Sequence, residues 1–298
     1  MSDSCVSMVV WQPSGSIATL KQRAEILAVI RAYFSEQNVI EVQTPVRSFA
    51  TAGDPAIESL GVDDGSFLQT SAEYQMKRLL AAGSPSIYQL GPVFRAGESG
   101  RRHAVEFTMV EWYRLGFDDA ALMQDVCRLV NRVLGEASFQ SVTYRDLVDD
   151  ADLIARAHTD DAVRDQLDVA FDDALRLLGP GRWFVTDFPA RQAALARLRD
   201  DDPTVAARFE LVIDGLELAN GYFELSDADE LTNRWLSDNA ERKRRGMAVV
   251  PADDALLAAM RHGLPDCAGV ALGVDRLVMI ALGVDSIDEV LAFKHPPG

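Results

Sequence analysis

Arginine and histidine side chains crowd one short polar segment of this chain. Arg95 stands where a predicted strand ends, and Arg101, Arg102 and His103 stand just before the next one begins. Guanidinium forks fit phosphate oxygens, so this cluster predicts a site for a polyphosphate. Glu98 interrupts the positive run and could accept hydrogen bonds from an aminopurine. The alternative is a solvated hairpin tip that binds nothing.

Three glutamates lie within or beside largely apolar segments of the sequence. They are Glu73, Glu111 and Glu224, and Glu111 stands between Val110 and Trp112. A carboxylate is costly to bury without a cationic partner. Together the three predict a pocket for a small molecule that carries two positive charges. Taken one at a time, each could instead occupy an exposed strand position.

Two more glutamates could bind a metal ion. Glu210 and Glu217 lie on a stretch of strand character that is interrupted by Asp214 and Gly215. Magnesium prefers a few carboxylates together with phosphate oxygens. Near a polyphosphate, the pair therefore predicts a Mg²⁺ site, and two exposed strand carboxylates are the alternative.

Small residues fill the segment from Gly269 to Gly273, which is followed by Asp275 and Arg276. Small side chains in a strand let another group approach the backbone closely. An arginine at the start of the next helix could stack on an aromatic base. Tight packing of the strand against the helix is the alternative.

Hydrophobic periodicity places these residues on an alternation of helices and strands. Predicted helices cover 16–37, 73–82, 118–135, 146–178 and 227–245, with a last one from Asp275; predicted strands cover 39–42, 86–95, 105–115, 182–187, 208–224 and 268–274. The strands at 86–95 and 105–115 should form a long antiparallel hairpin. The order lacks a strand–helix–strand rhythm, which favours an α+β fold.

The composition excludes several classes of protein. The 298 residues include 48% hydrophobic and 25% charged residues, which is typical of a globular protein, and no apolar run is long enough to span a membrane. A net charge of −17 argues against a general nucleic-acid binder. Three scattered cysteines, and no secretory signal in residues 1–10, lead us to expect a reducing, cytoplasmic location.

Three segments together resemble the signature motifs of class II aminoacyl-tRNA synthetases. Residues 21–45, 94–114 and 269–279 are similar to motifs 1, 2 and 3, in the family's order. The blocks TSAEYQMKRLL at 70–80 and ELANGYFEL at 217–225 are similar to lysyl-tRNA synthetase within that class. The resemblance runs from about residue 11 to residue 293, nearly the whole chain.

The resemblance implies the class II catalytic fold, an antiparallel sheet flanked by helices, as a single domain over residues 1–298. Motif 1 begins near Lys21, so an N-terminal OB-fold that reads an anticodon is not expected. The chain in this respect resembles the short paralogues of lysyl-tRNA synthetase, which use ATP and Mg²⁺ to adenylate (R)-β-lysine or lysine. They transfer it to a lysine of elongation factor P. Motif 1 implies a homodimer, and tRNA is the less favoured acceptor.

The resemblance also implies a role for each residue that matches a family motif. Arg95, Glu217 and Arg276 would be catalytic, and Glu210 and Glu217 would hold Mg²⁺. ATP would contact Arg95, Ala96, Gly97, Glu98, Arg102, His103, Phe107, Glu217, Leu218, Gly273 and Arg276. The amino acid would contact Ser71, Ala72, Glu73, Glu111, Tyr113, Asn220, Glu224 and Ala271.

Within these sets the resemblance gives individual tasks. Arg95 would hold the α-phosphate and Phe107 would stack on adenine with Arg276. Glu73 would bind the amino group near the reacting carboxylate, and the terminal ammonium would bind Glu111, Tyr113 and Glu224.

The sequence departs from the synthetase pattern at two informative positions. Ala271 stands where lysyl-tRNA synthetases usually have glycine, and its methyl group would reshape the pocket toward a β-amino acid. Glu98 stands one position later than the family's adenine-reading glutamate. Two alternatives therefore stay open: the same chemistry with another acceptor, or a catalytically silent paralogue that only binds an amino acid.

Overall fold

The computed structural model describes residues 11–157 and 160–294, except for the side chains of 161 and 162. The segment 1–10, where the sequence predicted no secretory signal and where Cys5 lies, is outside this description. The helices are α1 (Ile17–Glu36), α2 (Glu73–Ala81), α3 (Asp119–Leu134), α4 (Tyr144–Val148), α5 (Ala151–Ala157), α6 (Asp161–Leu177), α7 (Ala228–Arg244), α8 (Asp254–Gly263) and α9 (Val274–Leu282).

Most of the strands belong to one sheet. The strands are β1 (Ile40–Glu41), β2 (Arg47–Ser48), β3 (Phe67–Leu68), β4 (Ile87–Phe94), β5 (Glu106–Leu115), β6 (Phe139–Thr143), β7 (Arg182–Pro189), β8 (Val205–Ile213), β9 (Leu216–Phe223) and β10 (Cys267–Gly273). Eight of them form a sheet in the order β1-β4-β5-β10-β9-β8-β7-β6, and β2 pairs with β3.

The fold class is α+β, as the sequence predicted. The six central strands of the large sheet run antiparallel, including the β4–β5 hairpin. The sheet is parallel only at its two ends, where β1 pairs with β4 and β6 with β7. The described residues of 146–178 are largely helical, as predicted, but they are divided among three helices, α4 to α6, and β6 precedes them.

Side chains of β5, β8, β9 and β10 alternate between the two faces of the sheet, as the strand period of two requires. One face carries the main core, which packs against α1, α3 and α9 and includes Phe34, Trp112, Phe209 and Leu272. The polar residues between these positions point to the other face. The motifs therefore place apolar residues on the core side and chemistry-bearing residues on the opposite side.

Helix α9 is fixed to the hairpin by one buried carboxylate. Asp275 is 1% exposed and accepts a hydrogen bond from the Thr108 N–H at 2.7 Å. Arg23 of α1 forms an ion pair with Asp275, N to O 2.5 Å. These contacts join the segments that resemble motifs 1, 2 and 3, so the arginine that follows Asp275 is held against the hairpin.

Helix α7 holds the loop between β2 and β3, residues 49–66, over the polar face of the sheet. Arg242 is buried, and its Nη1 donates to the carbonyl oxygens of Asp54 at 3.2 Å and Ile57 at 3.3 Å. The basic run at the end of α7 thus includes a buried arginine that positions a loop. Among the described residues, no helix is both long and apolar enough to cross a membrane.

Candidate active site

A cavity of about 260 Å³ opens on the polar face of the sheet, over β5, β10 and β9. It brings together most of the site residues predicted from the sequence. Those that line it are Ser71, Glu73, Arg95, Glu98, Arg102, His103, Phe107, Glu111, Tyr113, Glu217, Leu218, Asn220, Glu224, Ala271, Gly273 and Arg276. Residues far apart in sequence thus converge on one cleft.

Four predicted site residues lie outside the lining of this cavity. Ala72 is fully buried, and its N–H donates to Glu111 Oε1 at 2.8 Å, so it acts through its backbone. The Ala96 N–H donates to a carbonyl oxygen of the 49–66 loop, and Gly97 has a φ of +75° in the hairpin tip. Glu210 lines a larger, adjoining cavity instead.

The arginine-rich end of the cavity carries an aromatic platform. The guanidinium of Arg95 lies over the Phe107 ring, 5.2 Å from its centroid, and its Nη1 is 3.4 Å from Glu98 Oε1. Arg95 is thus held between an aromatic face and a carboxylate. Glu98, displaced by one position from the family pattern, contacts the arginine in this structure.

Arg276 closes the same end of the cavity from the start of α9. Its Nη1 donates to the Glu217 carbonyl oxygen at 2.7 Å, and the Glu217 carboxylate lies 3.6 Å away. Its Nη2 lies 2.7 Å from His103 Nε2. Burial, reinforced by the charge of Arg276, lowers the pKa of His103. A neutral His103 can therefore accept this hydrogen bond.

The opposite end of the cavity is acidic and buried. Glu111 is 3% exposed and accepts hydrogen bonds from the Ser71 hydroxyl and the Ala72 N–H. Burial raises the pKa of Glu111 to about 7 and also raises the pKa of Glu224. The pocket of buried carboxylates predicted from the sequence is therefore present, and the exposed alternative was wrong for these two residues.

Sequence reasoning missed Lys77, which is 2% exposed and lies among the same carboxylates. Its Nζ is 2.6 Å from Glu73 Oε1 and 2.5 Å from Glu224 Oε2. Two signals could have indicated it: the i,i+4 spacing from Glu73 on α2, and the scarcity of lysine in the chain, which has four. Lys77 supplies the cationic partner that buried carboxylates require.

Gly269 lets two of these groups approach each other. A Cβ at this position would lie 2.3 Å from the Tyr113 ring and 2.4 Å from Glu224 Oε1. The absence of a side chain on β10 therefore makes room for the acidic end of the cavity. The predicted role of small residues in this strand, close approach to the backbone, applies at this position.

The two predicted Mg²⁺ ligands line different cavities, Glu210 the larger one and Glu217 the smaller one. Their charges nevertheless influence each other. Glu210 is paired with Arg208, N to O 2.5 Å, and burial together with the Glu217 charge raises its pKa to about 7. Asn220, the cross-strand neighbour of Glu210, has a buried Oδ1 without a hydrogen bond. Two carboxylates and this oxygen fit a hard divalent cation. No group of three or more acidic, histidine or cysteine side chains suited to a metal occurs among the described residues.

The fold and the site agree with the comparison to protein families. Residues 8–296 match the family described as tRNA synthetases class II (D, K and N), to which the chain belongs. Within this class, the chain falls among the relatives named elongation factor P–(R)-β-lysine ligase. It is 44% identical to the one from Vibrio cholerae, over 96% of this chain and 98% of the relative. The relatives from Pectobacterium carotovorum and Yersinia enterocolitica are also 44% identical, each over 95% of this chain and 97% of the relative.

Proposed function

We propose that this chain adenylates (R)-β-lysine, or lysine, with ATP and transfers it to a lysine side chain of elongation factor P. One observation carries the proposal: a single cavity has an arginine and aromatic end and, opposite it, a buried end with several carboxylates. The names of the relatives support β-lysine and elongation factor P as the substrates. Such a reaction belongs in the cytoplasm, where translation takes place.

In the first step, the substrate carboxylate attacks the α-phosphorus of ATP, and pyrophosphate leaves with the electrons of the broken P–O bond. Arg95 would stabilise the charge on the α-phosphate, and Arg102 and His103 would contact the outer phosphates. Adenine would stack on Phe107, taking the face that Arg95 now covers, with Arg276 on its other side. Positioning and electrostatics supply the catalysis, so no protein nucleophile is required.

Magnesium would neutralise phosphate charge in this step, and the donor set fits it. Glu217 and Glu210 would provide carboxylate oxygens, and Asn220, the cross-strand neighbour of Glu210, would add its Oδ1. Because the negative charges of Glu210 and Glu217 repel each other, a cation between them would favour the ionised form of both.

The acidic end would select an amino acid with two ammonium groups. Glu73, Glu111 and Glu224, when ionised, carry three negative charges, and Lys77 cancels one of them. The remaining charge matches two ammonium groups. A monoamine would leave one buried negative charge without a partner, which is costly. Ala271 lies opposite Glu111 and Asn220 on the neighbouring strands, where its methyl group would favour the β isomer.

In the second step, a neutral lysine amine of the acceptor attacks the carbonyl carbon of the adenylate. The new C–N bond forms, the C–O bond to phosphate breaks, and AMP leaves with the electron pair. The surplus proton on nitrogen passes to solvent.

We also propose a homodimer, because the described part of α1 and β1 exposes Ile17 and Ile40, 63% and 48% accessible.

Pyrophosphate exchange tests the proposed function directly. Exchange between ATP and labelled pyrophosphate should depend on (R)-β-lysine or lysine and should be absent with ornithine or norleucine. In parallel tubes, the labelled amino acid should appear in elongation factor P and not in tRNA. Label in tRNA alone would identify a different acceptor, and the absence of exchange with every lysine isomer would indicate a silent paralogue.

A further inference from the structure

A second cavity, larger than the first, adjoins the active site. Its volume is about 440 Å³, and it lies between the 49–66 loop, helix α6 and helix α7. The residues that would hold ATP, including Arg95, Phe107 and Arg276, do not line it, and neither do Glu111 and Glu224. Apart from Ser71, Glu73 and Glu210, the lining of this second chamber has no role assigned in the first reaction.

The two cavities meet at the start of helix α2. Ser71, Glu73, Arg208 and Tyr222 line both. Under the proposed function, the reacting carboxyl group lies here, between Arg95 and Glu73. The second chamber thus ends at the carbon that the acceptor amine must attack.

The walls of the second chamber suit a long aliphatic chain that ends in a cation. Phe171, Phe188 and Trp235 supply apolar surface, and Asp172 and Asp238 supply carboxylates. A lysine side chain buries its methylene stem and directs its ammonium to acidic groups. The chamber therefore matches the chemistry of the acceptor.

The negative charge in the chamber is only partly balanced, because its lining has six carboxylates and four arginines: Asp54, Glu73, Asp168, Asp172, Glu210 and Asp238, and Arg164, Arg191, Arg208 and Arg234. Arg208 is engaged by Glu210 and the Gln192 carbonyl oxygen, and Arg234 by Glu230. Asp238 has no hydrogen bond or ion pair within 4 Å among the residues that the structure describes. Burial and then the charge of Asp54 raise the pKa of Asp238 to about 6, against the opposing charges of Arg164, Arg234 and Arg242. A bound ammonium would relieve both effects.

We propose that the second chamber binds the acceptor lysine side chain, with Asp238 and Asp172 drawing in its ammonium. This inference rests on the proposed function and adds the site of its second substrate. The ammonium loses one proton to the Asp238 carboxylate, and the neutral amine then attacks the adenylate. Apolar walls favour the neutral form of the amine. The 49–66 loop, held by Arg242, forms the roof of this route.

The test separates the two chemical steps in single-site variants. Asp238→Asn should slow transfer from preformed adenylate about tenfold, as for the loss of one favourable charge interaction, and Asp172→Asn, whose carboxylate is exposed and screened by solvent, about threefold. Pyrophosphate exchange should stay within about twofold of the parent. Matched controls are Asp229→Asn on α7 and Asp173→Asn on α6, both exposed and outside the chamber lining. These controls should leave both steps unchanged.

A small acceptor distinguishes binding of the side chain from docking of the whole protein. Nα-acetyl-lysine amide should be modified slowly by the parent, and the two test variants should reduce this rate by the same factor as the rate with elongation factor P. A loss seen only with the protein acceptor would overturn the chamber as the lysine site. Equal losses in exchange and transfer, or no loss in either variant, would also overturn it. If the parent itself shows exchange but modifies no amine, the proposed function fails first and the inference fails with it.

Discussion

Four charged side chains lie together in the acidic end of the cavity: Glu73, Glu111, Glu224 and Lys77. None of these charges would be stable at a buried site without the others. Lys77 is held between two carboxylates at 2.5 and 2.6 Å. Its burial opposes its charge, but the two carboxylates dominate and raise its pKa. Burial raises the pKa of Glu224 to about 8, even though the charge of Lys77 opposes this rise. Lys77 therefore sets how much negative charge the pocket offers to a substrate.

Removing this charge should weaken binding of the amino acid without affecting ATP. In Lys77→Met, Glu111 and Glu224 should retain protons at neutral pH, because burial and repulsion by the Glu73 charge both raise their pKa values. We expect kcat/KM for the amino acid to fall at least about tenfold at pH 7, and less at pH 9, whereas KM for ATP changes less than about twofold. Pyrophosphate exchange across this pH range measures both.

The neighbouring Arg78→Met, exposed on the same helix, is the matched control. A Lys77→Met enzyme that loses activity equally at all pH values, or loses ATP binding as well, would show that Lys77 only supports the fold.

The pH dependence of the parent enzyme should follow Glu111. Its pKa is about 7 because of burial, so below that pH it is protonated and a poor partner for an ammonium. We expect kcat/KM for the amino acid to rise with pH through about 7, since the carboxylate gains its charge there. Initial rates of exchange from pH 6 to 8.5 would show this, and Glu111→Gln should remove the inflection near pH 7 while a rise near pH 8 from Glu224 remains. A flat profile for the parent would contradict the assignment.

At the scale of elements, hydrophobic periodicity predicted α1, α2, α3, α7 and the β4–β5 hairpin within a residue or two. These segments are long and strongly patterned, and Asp118 and Asp227 cap helices as their side chains favour. Helix α8 and strand β6 were missed, and the break at 149–150 between α4 and α5 was not seen. Their boundaries depend on tertiary packing, such as α8 against α2 and β6 beside β7.

The candidate site was predictable as a set of residues but not as a geometry. The resemblance supplied Arg95, Glu111 and Arg276, and the structure places all three in one cavity. Burial, the partner of each carboxylate and the second chamber depend on strand pairing and on the 49–66 loop, which local sequence patterns do not encode.

Strand β10 has a packing requirement that a single methyl group should test. Gly269→Ala would place a carbon within 2.4 Å of both the Tyr113 ring and Glu224, so either strand or ring must shift. We expect the free energy of unfolding to fall by about 1–3 kcal/mol and KM for the amino acid to rise. Gly61→Ala, where the added carbon meets nothing within 4 Å, is the control. Denaturant melts and exchange kinetics that were identical for both variants would refute this requirement.

Strand β1 lies at the edge of the sheet, and both of its residues are exposed. If this edge and α1 form the dimer interface, Ile40→Asp should shift the protein from dimer to monomer in sedimentation velocity at micromolar concentration. The control is Val249→Asp, which adds the same charge at an exposed site elsewhere and should leave the dimer intact. A parent protein that sediments as a monomer would exclude the homodimer.

At the scale of the whole molecule, one chain combines a class II sheet, a cleft that we propose binds ATP, and a separate chamber that under this proposal meets the cleft at the reacting carbon. The net charge of −17 makes long-range attraction of an acidic acceptor unfavourable. For an acceptor that is itself acidic, specificity must then come from local contacts. Two of the basic side chains near the end of α7 contribute little to such attraction, since Arg242 is buried and Arg245 is paired with Asp165.

The most direct test of the account is the intact mass of elongation factor P after incubation with this protein, ATP, Mg²⁺ and either lysine or (R)-β-lysine. The account predicts one added lysyl group per molecule, formed faster with the β isomer, on a lysine side chain located by peptide mapping. An unchanged mass, while pyrophosphate exchange with the same amino acid proceeds, would contradict the proposed acceptor.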